Sequence, residues 1–281
     1  MTRADPAGSG AGLVDRLVAG ETVVGCFIKL AGSESVDIAA QARFDFVVVD
    51  TEHAQLDERD ARRLVRHGAA IGLSVVVRLA ALDVGAITRL LEAGAAGIQL
   101  SAVASADDAH ALRDACRYAP AGRRSISLAQ PWARYGAEPI DDYLDRVHAS
   151  PPLVVGQVED GRGLAALPGI AAAVDVVFLG SLDLSLDLGV PGRLNDPRVT
   201  QAVSSALATT SSAGCVGGGF ALGPAGAEAL VALGARYIVV GSDLQQLADA
   251  HRRLGEDLDR LRNAQVAVPA DTVDPQASRV G

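Results

Sequence analysis

Cysteine is scarce in this 281-residue chain: Cys26, Cys116 and Cys215 lie far apart, with no CxxC or zinc-type spacing. That excludes a disulfide framework, gives no sign of a structural metal site and suits a reducing cytoplasm. No apolar run approaches the ~20 residues that a membrane-spanning helix needs. The opening MTRADPAGSGAG lacks the apolar centre of a signal peptide, so residues 1–11 read as a flexible leader. Basic residues never cluster beyond short pairs such as Arg62-Arg63 and Arg123-Arg124, and the net charge is -9. Neither nucleic acid nor an anionic membrane is therefore expected as a partner; a small molecule fits better. A GK[ST] triplet is missing, and the glycine run Gly217 to Gly219 does not match GxGxxG after a first strand. It is expected to allow close backbone approach at the rim of the fold.

What the chain has in quantity is apolar residues, 49% of the total, enough for a large core at this length. They recur as eight short runs: VVGCFIKL (Val23 to Leu30), FDFVVVD (Phe44 to Asp50), VVVRLA (Val75 to Ala80), GIQLSA (Gly97 to Ala102), LVVGQVE (Leu153 to Glu159), DVVFLG (Asp175 to Gly180), CVGGGFA (Cys215 to Ala221) and YIVVG (Tyr237 to Gly241). Continuous apolar runs of this length fit strands buried on both faces, as in a parallel sheet. Between them lie segments with helical spacing. Asp57 is placed to cap a helix with the stripe Ala61, Leu64, Val65, Gly68 and Ala69 and a stop at Gly72. Ile87, Leu90 and Leu91 form a second stripe closed by Gly94, and Ser105 with Asp108 opens a third helix. LLEAGAAGIQL and LVALGARYIVV echo each other as helix end, glycine stop and new strand. The alternation predicts a single (β/α)8 TIM barrel over residues 12–264, with a doubly wound open sheet as the alternative. The polar stretch Arg123 to Ser127 is assigned to a long loop after the fourth helix. Residues 265–281, rich in Pro, Asp, Ser and Ala, are assigned to a flexible tail.

In such a barrel the reacting groups gather where strands end, because the loops there surround one mouth. The second strand ends at Asp50, Glu52 and His53. The third carries Arg78, followed by Asp83; the fifth ends at Gln157 and Glu159; the sixth is followed by Ser181, Leu182 and Asp183. Glu159 and Asp183, with few basic neighbours in sequence, are candidates to hold a hard cation such as Mg²⁺ or Mn²⁺. Taken singly, each is equally a helix cap, and His53 is a solvated loop histidine. Arg78 after three valines needs a carboxylate partner in any reading. His67, His110, His148 and His251 are assigned to the surface.

In order along the chain, FDFVVVDTEHA, VVVRLAALD, RYAPAGRRS, QVE at Gln157 to Glu159 and FLGSLDLSLDLG resemble the blocks of the HpcH/HpaI aldolase family, metal-dependent class II aldolases of the phosphoenolpyruvate/pyruvate barrel superfamily. The similarity runs from about Val24 to about Leu261. It implies a carbon-carbon lyase that makes or breaks the bond between a pyruvate-type enolate and an aldehyde. It implies Glu159 and Asp183 as ligands of a divalent cation (Mg, Mn or Co), Arg78 beside the keto oxygen, His53 as the proton carrier and Asp83 as its associate. Asp50, Glu52 and Gln157 would surround the metal and its waters, and Ser181, Leu182 and Ser127 would meet the substrate. The same chemistry turned to oxo-acid decarboxylation or CoA-thioester cleavage, or a barrel that only binds a ligand, are the alternatives. The resemblance further implies a cytoplasmic homo-oligomer, often a hexamer, in which the final helix, here Leu244 to Leu261, packs on a neighbouring barrel. Thr51 stands where the family often has glycine, Ser181-Leu182 where it often has Pro-Ala, and Gln99-Leu100-Ser101 where Val-Pro-Met is common. These departures point to altered substrate surroundings.

Overall fold

A computed structural model describes residues 12–266, with side chains to 263. The expected leader, and the expected tail from residue 267 onward, lie outside the described residues. Eight strands form: β1 (Val23–Ile28), β2 (Phe46–Asp50), β3 (Ser74–Leu79), β4 (Gly97–Leu100), β5 (Leu153–Val158), β6 (Val176–Leu179), β7 (Val216–Ala221) and β8 (Tyr237–Ser242). One lies within each apolar run, give or take an end residue. All pair in parallel with their sequence neighbours, and β8 returns to β1 with Val23 opposite Tyr237, which closes a (β/α)8 barrel and removes the open sheet. The chain divides into two compact units, the barrel up to Asp243 and the segment from Leu244, which carries most of the helix Asp243–Val266.

Each strand is buried on both faces because one face looks into the barrel and the other at the helices. Val23, Phe27, Phe46, Val48, Val76, Val155, Phe178 and Tyr237 fill the interior, with Leu13 and Leu17 of the helix Leu13–Val18 joined to the same cluster. Residues of opposite parity, such as Val47, Val49, Val75 and Val77, pack outward with Leu64, Leu90 and Leu112 of the surrounding helices. Burial of this extent is the main stabilising term, at ~25 cal/mol per Å² of apolar surface removed from water. Four of the five phenylalanines belong to the interior, where Phe46 stacks on Tyr237 at 4.5 Å and Phe178 meets it edge-on at 6.0 Å. The glycine run serves this packing rather than the rim: a Cβ on Gly218 would stand 2.6 Å from the Tyr237 carbonyl oxygen, in the barrel wall.

The local punctuation follows chain chemistry. Asp57 accepts from the Asp60 N–H at 2.9 Å to start the helix Glu58–Ile71, and Gly72 ends it at φ 79°. Gly94 and Gly234, the stops in the two echoing segments, have φ of 106° and 96°. The stretch between the helix Ala106–Cys116 and β5 is more ordered than its polarity suggests. It holds a 3₁₀ turn, Pro131–Gly136, and a helix, Ile140–Ala149, anchored by buried Tyr143 and Val147.

Candidate active site

The carboxyl ends of β1 to β6 bring two sets of charged groups to one mouth. The first is built on the register that sets Asp50 of β2 opposite Arg78 of β3. Asp50 is fully buried, and Arg78 forks onto it, with Nε to Oδ1 at 3.0 Å and Nη2 to Oδ2 at 2.7 Å. Lys29, just past β1, donates from Nζ to Asp50 Oδ2 at 2.6 Å and to the His53 carbonyl at 3.0 Å. The Glu52 and His53 N–H groups close on Asp50 Oδ1 at 3.1 Å each. Burial alone would raise the Asp50 carboxyl, but the bonds and charge of Arg78, with Lys29 and the His53 N–H, outweigh it and hold it well below the usual carboxylate range. Arg78 therefore has the carboxylate partner its burial demands, and its guanidinium also lies 4.4 Å over the Phe27 ring.

Glu52 bridges to the second set. Its Oε2 lies 3.3 Å from Arg78 Nη1 and 3.6 Å from His53 Nε2, and accepts from Ser101 Oγ at 2.6 Å. The next residue, Ala102, holds a left-handed backbone at φ 53° and donates its N–H to Glu159 Oε2 at 3.1 Å. Glu159 Oε1 accepts from the Gln157 amide, which in turn accepts from Gln99 at 2.5 Å. Glu159 does not cap the next helix; Asp160 does, accepting from the Gly163 N–H at 2.8 Å. The glycine at 180 leaves space for Glu159, since a Cβ there would stand 2.7 Å from its Cγ. Asp183 lies exposed in the first turn of Ser181–Asp187 and makes no side-chain capping bond. Burial raises the Glu159 carboxyl, and the nearby charges of Glu52 and Asp183 add to it against the pull of the Gln157 amide and Ala102 N–H.

This arrangement fits a hard divalent cation. Lys29 and Arg78 face four carboxylates, Asp50, Glu52, Glu159 and Asp183, and both cations are engaged with Asp50 or Glu52. Among the described residues no cationic side chain pairs with the two remaining carboxylates, Glu159 and Asp183. Among the described residues no cluster of three or more His, Cys, Asp or Glu gathers around one point, so a cation held here would take two protein carboxylates and complete its shell with water and ligand oxygens.

The structure brings His53, Arg78, Asp50, Glu52, Gln157, Glu159 and Asp183 into one connected mouth. Ser181 and exposed Leu182 begin the helix that carries Asp183, and the Leu182 carbonyl accepts from Ser185 Oγ at 2.6 Å. Asp83 caps Val84–Ala93 through the Ala86 N–H at 2.9 Å, with no hydrogen bond or ion pair to His53 among the described residues. Ser127 is exposed and joins the mouth by no such contact; its carbonyl accepts from Gln130. Asp50, expected near the metal and its waters, fixes Arg78 and Lys29. Thr51 turns its hydroxyl onto the Arg78 carbonyl at 2.6 Å, tying β2 to β3. Sequence reasoning missed Lys29, and it gave Ser101 only as one of the departures around the substrate, without its bond to Glu52. Lys29 had a signal: it is the only lysine in the chain and it follows a buried strand. The three thiols are no rival nucleophiles, since burial pushes each up to about 12.

Comparison with known proteins gives the family of the chain. The chain is 31% identical over 237 residues to a hydroxypyruvate/pyruvate aldolase of Roseobacter denitrificans, covering 84% of this chain and 92% of that one. It is 33% identical to a 4-hydroxy-2-oxovalerate aldolase of Rhodococcus jostii, covering 83% and 90%. A solved HpcH/HpaI aldolase/citrate lyase family protein from Burkholderia cenocepacia superposes with a TM-score of 0.81 at 31% identity, covering 88% of this chain and 98% of that one. The model of the HpcH/HpaI aldolase/citrate lyase family matches residues 23–250, which is nearly the whole barrel, mouth included. With so much of its length shared, the chain belongs to the HpcH/HpaI aldolase/citrate lyase family.

Proposed function

We propose that this protein is a metal-dependent aldolase that makes or breaks the carbon-carbon bond between a pyruvate-type 2-oxo acid and an aldehyde. The observation that carries the reading is the pair Glu159 and Asp183, two neighbouring carboxylates that no cationic side chain pairs with among the described residues, next to a Glu52 that is itself paired with buried Arg78. The printed activities of the relatives, aldolases of hydroxypyruvate/pyruvate and of 4-hydroxy-2-oxovalerate, support the substrate class.

In this reading Glu159 and Asp183 hold Mg²⁺, Mn²⁺ or Co²⁺. The bound cation supplies Lewis-acid polarisation of the keto and carboxylate oxygens. Arg78 keeps unused N–H donors on Nη1 and Nη2 after its bonds to Asp50 and Glu52, and offers them to the keto oxygen, where negative charge accumulates as the bond breaks. Because Asp50 and the strand register fix the guanidinium beforehand, little reorganisation is needed at that moment. His53, exposed beside Glu52, takes the proton of the substrate hydroxyl in cleavage and returns it in synthesis. Lys29 holds the carbonyl of His53 and so positions the loop that carries it. Gln99 and Gln157 order Glu159 from inside the barrel. Leu182 and Ser181 border the aldehyde side, and Asp83 and Ser127 are retained as outer groups of the same site.

Pyruvate release from a 4-hydroxy-2-oxo acid, followed before and after chelator treatment, tests the reading. Activity should vanish on chelation and return with Mg²⁺, Mn²⁺ or Co²⁺; full activity in the stripped protein would overturn it. We further propose a cytoplasmic homo-oligomer, of the hexameric kind, in which the helix Asp243–Val266 is exchanged between subunits. Three unpaired cysteines and the exposed leucines of that helix, among them Leu254 and Leu261, support this. Among the described residues no helix is long and apolar enough to cross a membrane.

A further inference from the structure

The strand pairing of β1 stops just short of the mouth: Ile28 is its last residue paired with β2, opposite Val49, and Phe27 its last paired with β8, opposite Ser242. Lys29 and Leu30, both half-buried, continue the chain beyond that pairing. Their N–H groups are taken up by one side chain, since Asp243, which directly follows β8, accepts from the Lys29 N–H at Oδ1, 2.8 Å, and from the Leu30 N–H at Oδ2, 3.1 Å. A carboxylate thus extends the closure of the barrel past the end of the ladder.

The side chain carried by that backbone is the ammonium group of the mouth. Lys29 Nζ donates to Asp50 Oδ2 at 2.6 Å and to the His53 carbonyl at 3.0 Å, with the side chain only 19% exposed. Among the described residues, Lys29 supplies the side chain that holds the His53 carbonyl. A lysine stem is flexible and has no planar fork to orient it, so where its ammonium rests depends on where its backbone is held. Asp243 holds that backbone. The line of bonds therefore crosses from the end of β8, over the end of β1, to the loop after β2 that carries His53. Glu159 and Asp183 follow β5 and β6, outside this line.

We propose that Asp243 is a positioning residue of the reaction: by fixing the Lys29 and Leu30 N–H groups it sets Lys29 Nζ against Asp50 and the His53 carbonyl, and so keeps the His53 loop in place for proton transfer. The role rests on the reading of His53 as the proton carrier.

Lys29 is the only lysine of the chain, so its engagement can be read without any activity. The natural chain, Asp243→Asn and Asp243→Ala are treated with limiting acetic anhydride, and acetylation at residue 29 is followed by mass spectrometry. Its rate should rise from the natural chain to Asp243→Asn, which keeps one acceptor, and again to Asp243→Ala. Turnover of a 4-hydroxy-2-oxo acid with Mn²⁺ should fall ~10-fold or more in Asp243→Ala and less in Asp243→Asn, the scale of a lost hydrogen bond to a charged group. The loss should lie in kcat rather than KM, with Mn²⁺ affinity by electron paramagnetic resonance unchanged. In a Lys29→Met background, adding Asp243→Asn should alter kcat by less than ~2-fold, because the two residues act as one unit. An unchanged acetylation rate, natural kcat in both Asp243 variants, weakened Mn²⁺ binding, or independent losses that multiply in the double variant would each overturn the role and leave the reading of the reaction standing. A natural chain that cleaves no 4-hydroxy-2-oxo acid with Mn²⁺ would overturn that reading, and the role with it. Should Asp243→Ala fail to fold by circular dichroism, Asp243→Asn decides the matter on the same measurements.

Discussion

At Asp50 five donors converge on one buried carboxylate: two from Arg78, one from Lys29 and the N–H groups of Glu52 and His53. Removing one partner of a buried ion pair leaves the other uncompensated, so Asp50→Asn should destabilise the protein by ~3–5 kcal/mol in urea unfolding and lower turnover with it. The carboxyl is depressed in the folded state, so its contribution is present above its unfolded value of ~3.9 and is lost as pH falls toward the folded one. The acid limb of the stability curve should therefore flatten in Asp50→Asn. At this scale the sequence was only half legible. Asp50, Glu52, His53, Arg78, Glu159 and Asp183 were visible as polar exits from apolar strands. That Asp50 would be the carboxylate that holds Arg78 was not, because the pairing depends on the β2–β3 register, which no local pattern encodes.

Among the elements, the strands were plain because each is buried on both faces and so carries an unbroken apolar run. The helix Ile140–Ala149 was not, since Tyr143 and Val147 are its only buried residues, Leu144 is half-buried, and the rest is charged or exposed. The link between β6 and the helix Ser181–Asp187 is closely packed against the site. Gly180 has an ordinary backbone conformation at φ -83°, so the demand for glycine there comes from Glu159 rather than from strain. Gly180→Ala would place a Cβ against Glu159 Cγ and displace the carboxylate from Asp183. Thermal unfolding should fall by only a few degrees, roughly the cost of a local overpacking of 1–3 kcal/mol. Activity at saturating Mn²⁺ should fall far more, and a variant with unimpaired activity would show that the Glu159 position is not critical.

For the whole molecule, the parallel ring and the single mouth explain why charge of both signs can be assembled from residues 29 to 183 and still form one site. The fold class could be read from the βα alternation alone; assembly could not, because the leucines of the helix Asp243–Val266 satisfy an intrachain or an exchanged packing by the same pattern. Light scattering at micromolar concentration should show an oligomer, and a monomer would remove the exchanged helix. The central claim is that Glu159 and Asp183 hold a divalent cation in a mouth already organised by Asp50 and Arg78. Its most direct measurement is a titration of the chelator-stripped protein with Mn²⁺, followed by electron paramagnetic resonance, in the natural chain and in Glu159→Gln, Asp183→Asn and His53→Asn. The account predicts one site per chain, weakened at least ~10–100-fold by either carboxylate change, the loss that even outer partners of a metal produce, and unaltered by His53→Asn. Natural-chain affinity for Mn²⁺ in both carboxylate variants would contradict it.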